Sequence, residues 1–211
     1  MSDRSNDPVD FDAAKQKSEI FEPLFEHFPP EEAAAFQAMD FQAERDAWVE
    51  RTAAILRDNP IPDTIDHLQF VIVYIPIAGD EDGVYADIMV GASEDYDPLA
   101  EGDAFYEDYC PYPKLSKHHS PVLSTIGRAF EDLDVDDVGL PESFELEMMW
   151  AAGCVDALCR KYPDLIAAPL ASRTVYIGWN ENMSLLGVAK PGAWHLWDNE
   201  SEPEDFLEAM S

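Results

Sequence analysis

The chain has 211 residues, enough for one large domain or for one domain with tails. A hydrophobic fraction of 46% with 11% aromatics supplies a core and argues against global disorder, and no apolar run approaches the ~20 residues that span a bilayer. A formal net charge of -31 on 23.7 kDa argues against binding to nucleic-acid phosphates or to anionic membrane surfaces.

Residues 1–10 read as a flexible tail. Met1 to Asp12 is polar and acidic, with neither a basic n-region nor an apolar h-region, so no signal peptide is expected. Residues 11–28 hold a short helix in this reading, with Phe11, Ile20, Phe21, Leu24, Phe25 and Phe28 as its apolar points. Pro29-Pro30-Glu31-Glu32 then signals a helix start, because proline suits the first turn and acids there complement the dipole. One long amphipathic helix is expected to about Arg57, with Ala34, Ala38, Phe41, Trp48, Thr52, Ile55 and Leu56 near one face. Asn59-Pro60-Ile61-Pro62 ends it, since proline lacks the N–H donor and restricts the residue before it.

Residues 70–75, Phe-Val-Ile-Val-Tyr-Ile, are a continuous β-branched and aromatic run, the pattern of a strand covered on both faces. After a turn at 78–83, residues 84–90 alternate, with Val84, Ala86, Ile88 and Val90 on one face, and the two runs predict an antiparallel hairpin. Residues 92–119 carry prolines, acids and tyrosines and read as a long surface excursion. Helices are expected over 121–133 and 143–162, the second with Phe144, Met148, Ala151, Val155, Leu158 and Tyr162 at helical spacing. A second hairpin follows over 174–179 and 183–189, and 198–211 reads as an acidic tail or short helix. The fold class predicted is α+β: a single domain over 11–197, its antiparallel sheet built from two hairpins packed against amphipathic helices.

The search for chemistry returns little. Asp134, Asp136, Gly139 and Glu145 stand at positions 1, 3, 6 and 12 of a calcium-loop register, but Val138 and Pro141 break it at positions 5 and 8. Cys110 with His118 and His119 lacks a fourth zinc ligand. Cys154 and Cys159 are five apart, which is not a CxxC redox pair, and they read as small core residues in a reducing cytoplasm. There is no GxSxG, GxGxxG or GxxxxGKS. No catalytic residue, metal or cofactor is therefore assigned.

The acidity is unevenly spread. Between Arg57 and Lys114 there is no Lys or Arg against fourteen acids, and from Ala129 to Cys159 none against nine. Within the first stretch, Asp95, Tyr96, Asp97, Asp103, Tyr106, Glu107, Asp108 and Tyr109 combine carboxylates with large rings. Tyrosine supplies contact area at low entropic cost, and carboxylates steer basic partners. These eight residues are the candidate partner-binding set.

The layout of an N-terminal helix bearing Trp48, strands at 70–75 and 84–90, then helices and a closing hairpin resembles the small acidic immunity-type proteins encoded beside bacterial toxins. The resemblance is one of size, charge and layout and carries no site residue over. It implies a cytoplasmic protein that binds one cognate toxin, often at its active site, and many such toxins are basic nucleases. The expected function is thus non-enzymatic binding of a protein with a basic surface. The alternatives are a calcium-responsive protein using 134–145 and an enzyme of a salt-adapted host.

Overall fold

A computed structural model describes residues 30–76, 84–92, 108–111, 119–131, 141–169, 171–179, 182–197 and 201–210. The segments expected at 1–10 and 11–28, the turn at 78–83 and most of the excursion at 92–119 lie outside the described residues, as do calcium-register positions Asp134, Asp136 and Gly139.

The N-terminal helical stretch is two helices, α1 (Pro30–Gln37) and α2 (Phe41–Asp58), where the sequence reading expected one. The break is local chemistry. Asp40 sits at the N-cap of α2 and its carboxylate accepts from the Ala43 N–H at 3.0 Å, satisfying a donor that has no partner within the helix. Ala34 and Ala38 consequently lie exposed, while Phe41, Trp48, Val49, Thr52, Ala53 and Leu56 form the buried stripe of α2. At the other end the Asn59 N–H and its side-chain amide both donate to the Ile55 carbonyl at 2.9 Å.

Strand β1 (His67–Pro76) pairs antiparallel with β2 (Val84–Gly91). The chain then runs through helices α3 (Pro121–Glu131), α4 (Pro141–Lys161) and the single turn α5 (Pro163–Ile166). It returns as β3 (Arg173–Trp179) beside β1, followed by β4 (Asn182–Lys190), β5 (Ala193–Leu196) and the C-terminal helix α6 (Pro203–Met210). The sheet order is β2-β1-β3-β4-β5. The fold is α+β, but the sheet is mixed rather than wholly antiparallel: β1 and β3 run parallel, from His67 opposite Thr174 to Val71 opposite Gly178. Strand β2 brings the chain back to the end of the sheet where β1 began, and α3 to α5 link it from there to β3, which therefore runs parallel to β1.

On one face Phe70 stands opposite Val90 and Ile72 opposite Ile88, and these join Trp48, Leu123, Ile126, Trp150, Cys154 and Ile177 in the core. Ring contacts tie the layers together: Trp48 with Phe70 at 6.3 Å, and Phe41 with both Phe36 and Trp150. Edge-to-face pairs of this kind add about 0.5–1.5 kcal/mol each beyond their burial. Gln69 and Val71 point the other way and are also fully buried, so β1 is covered on both faces, as its continuous apolar run requires.

Edge strand β2 is protected by α3. The Ala86 N–H donates to Ser124 Oγ at 3.1 Å, and the Ala86 carbonyl accepts from the Ser120 N–H at 2.7 Å. At the far edge, Pro191 and Gly192 turn the chain from β4 into β5, with Gly192 at φ 74°, a conformation that L side chains rarely adopt.

Candidate functional site

Among the described side chains the exposed cations are Arg57, Arg160 and Lys161, all at the C-terminal ends of α2 and α4. Each is held in a local contact. The Arg57 guanidinium lies 4.7 Å from the centroid of the Tyr162 ring, over which Lys161 Nζ also sits at 5.6 Å. Glu50 Oε1 takes Lys161 Nζ and the Tyr162 hydroxyl, both at 2.8 Å, so it links the ends of the two helices. The Lys161 and Tyr162 hydrogen bonds hold the Glu50 carboxyl below its usual range, and Glu50 raises Lys161 in return. Arg160 Nε bonds Asp156 Oδ2 at 2.8 Å, and the other Asp156 oxygen accepts from Trp194 Nε1, fastening α4 to β5. Arg51, only partly exposed, pairs with the buried Asp87 at 3.2 Å.

Carboxylates dominate the rest of the described exterior. Asp46 on α2, Asp58, Asp63 and Asp66 before β1, and Glu204, Asp205 and Glu208 on α6 are all exposed.

Arg173, the first residue of β3, is only 2% exposed, yet none of its hydrogen bonds goes to a carboxylate. Its Nε donates to the Ile65 carbonyl at 2.8 Å and Nη1 to that of Ile166 at 2.9 Å. Nη2 donates to Pro62 at 2.7 Å and to Ile61 at 3.4 Å. Burial pulls the Arg173 pKa down, with Asp63 and Tyr109 opposing. The reason for this cage lies in the sequence of the α2–β1 connection. Pro60 and Pro62 have no N–H and hold the chain extended, so nearby carbonyls need a donor from elsewhere.

Beside Arg173 is a pocket of about 310 Å³. Leu56, Ile61, Ala167 and Arg173 form its buried floor, and Arg57, Pro60, Asp63, Asp164 and Pro169 its exposed rim, with Leu165 between. Asp164 Oδ1 accepts the Gly192 N–H at 2.8 Å, which fixes the carboxylate against the β4–β5 turn. The pocket combines an apolar floor with two guanidinium groups and two carboxylates. Among the described residues no group of three or more His, Cys, Asp or Glu could hold a metal ion.

Of the candidate partner-binding residues, Asp95, Tyr96, Asp97, Asp103, Tyr106 and Glu107 lie outside the described residues. Asp108 is exposed. Tyr109 requires correction: it is 7% exposed and belongs to the core, so its ring offers no area to a partner. Its hydroxyl donates to the Asn59 carbonyl at 2.7 Å, and its backbone bridges to Ala92 just after β2. Burial raises the phenol's pKa well above its ordinary value.

Cys154 and Cys159 are buried core residues as expected, and burial raises both thiols far above their ordinary range, which disfavours the reactive thiolate. Cys110 is exposed. Sequence reasoning passed over Arg57, Asp63, Asp164 and Arg173, which come from three separate segments and carry no shared motif. The one available signal was the pair of prolines at 60 and 62, whose missing donors call for a side-chain donor nearby.

No protein-family model matches the chain, and no curated protein and no solved structure is significantly similar to it.

Proposed function

We propose that this chain is an acidic, non-enzymatic binding protein that covers a basic surface on a protein partner, as an immunity protein covers a toxin. One observation supports the reading. Of the three exposed cations among the described side chains, Arg160 and Lys161 are paired with Asp156 and Glu50 and Arg57 alone keeps its charge uncompensated, so carboxylates set the outward field. A one-signed field raises encounter rates with an oppositely charged partner and repels like-charged competitors. The acid-and-tyrosine segment from Asp95 to Asp108 is the proposed contact region; Tyr109 anchors its end and does not touch the partner.

The test takes the product of the adjacent reading frame in the host as the candidate partner. Stopped-flow mixing should show association that slows by about tenfold or more between low and high salt. Reversal of Asp95, Asp97, Asp103 and Asp108 to Lys should slow association and flatten the salt dependence. No complex with that product, or rates indifferent to both salt and charge reversal, refutes the proposal.

A further inference from the structure

The pocket beside Arg173 has a charge pattern that the partner reading leaves unused. Its buried cation is met by four neutral carbonyls in a chain where acids outnumber bases 44 to 13. Burying a guanidinium without a bonded counter-ion is costly, and such cations are normally paired. An arginine has five N–H donors; the four bonds leave one on Nη1 without an acceptor among the described residues. The same pocket is lined by Arg57, which has a ring contact but no ion pair among the described residues. Opposite charges sit alongside. Asp63 is close enough to counter the fall in the Arg173 pKa without bonding to it, and the Gly192 N–H occupies only one oxygen of Asp164.

We infer that this pocket binds a free α-amino acid with a compact apolar side chain. The carboxylate lies between Arg57 and the remaining Arg173 N–H, and the ammonium lies between Asp63 and Asp164. The side chain rests on Leu56, Ile61, Leu165 and Ala167. An anion lacking the ammonium would face two unmatched carboxylates, and a cation lacking the carboxylate would leave the guanidinium groups unmatched. A zwitterion answers both. The size agrees: about 310 Å³ is near the lower end of the roughly 300–1,000 Å³ range of ligand pockets, suited to an amino acid rather than a dinucleotide. This inference does not depend on the partner proposal, and each stands or falls by its own experiment.

Calorimetry on the full chain with L-leucine tests it, alongside 4-methylpentanoate, which lacks the ammonium, 3-methylbutylamine, which lacks the carboxylate, and glycine, which lacks the side chain. Leucine should give saturable heat and shift the methyl resonances of Leu56, Ile61 and Leu165. Each truncated compound should bind at least about tenfold more weakly, the loss expected for one charged hydrogen-bonding group or for the buried side chain. Arg57→Gln and Asp63→Asn alter exposed positions and should still give a folded chain while weakening leucine by about tenfold each. Absence of saturable heat at leucine concentrations on the order of 10 mM overturns the inference, since that is weaker than ordinary small-ligand affinities. So does equal binding of 4-methylpentanoate, or leucine affinity unchanged in both variants.

Discussion

A cation is buried at the start of β3 among the backbone carbonyls of two separate segments. Arg173 joins the α2–β1 connection, through the carbonyls of Ile61, Pro62 and Ile65, to the end of α5 at Ile166. Replacement by methionine keeps an unbranched chain of similar length but removes every donor. Arg173→Met should lower stability by about 2–4 kcal/mol, the cost of stranded buried carbonyls less the relief of a desolvated charge. The urea midpoint measures it, and a variant within about 0.5 kcal/mol of the parent, the range of ordinary surface substitutions, would mean that water replaces the guanidinium. Apart from the hint in Pro60 and Pro62 that some side-chain donor is needed, neither this role nor that of Tyr109 was legible in the sequence. Arg173 stands before an ordinary strand pattern, and Tyr109 stands among acids and other tyrosines. In both cases the deciding partners, Ile65 and Asn59, lie far away along the chain. Cys154 and Cys159 were legible because apolar neighbours at helical spacing already put them on a buried stripe.

At the scale of elements, periodicity located the strands and helices well but could not determine which strands are neighbours. The alternation of Ala86, Ile88 and Val90 identifies a buried face whichever strand lies alongside, so the parallel β1–β3 pairing had no local signature. The break between α1 and α2 did have one, Asp40 three residues before Ala43, but the apolar spacing continued across it and masked the cap. Strand β5 was missed because it has four residues, all half-buried, with neither a continuous nor an alternating apolar pattern. The protection of the β2 edge is likewise a tertiary feature, and it is testable. Ser124→Ala removes the acceptor for the Ala86 N–H and should destabilise the fold by about 1 kcal/mol, a typical net hydrogen-bond contribution. Hydrogen exchange should speed up at Ala86 in that variant while the β1–β3 amides keep their protection. Equal loss of protection across the whole sheet would show that Ser124 supports global packing rather than the edge.

For the whole molecule, the question is whether the net charge of -31 acts as a strain on the fold or is offset by pairing. The ion pairs among the described residues are few: Arg51 on α2 with the buried Asp87 on β2, Arg160 with the buried Asp156, and Lys161 with Glu50. Only the last is exposed on both sides, and an exposed pair contributes little at best. Its pH windows follow from the shifts. Glu50, with its folded pKa depressed, supports the fold above its unfolded pKa and loses that support as pH falls through the folded value; Lys161, with its pKa raised, supports it below its unfolded pKa and loses that support only as pH rises through the folded value. Both contributions are therefore present at neutral pH, where the unpaired carboxylates are also fully ionised and repel. Raising NaCl from about 0.1 M to about 1 M contracts the screening length from about 10 Å to about 3 Å, which weakens that repulsion far more than it weakens a contact at 2.8 Å. The thermal midpoint at pH 7 should rise with salt, and the rise should shrink as pH is lowered toward the pI of about 4.1, where the carboxylates are partly protonated. A midpoint that falls with salt at pH 7 would mean that attractive pairs outweigh repulsion, and the acidic exterior would then be a network supporting the fold rather than a field available to a partner.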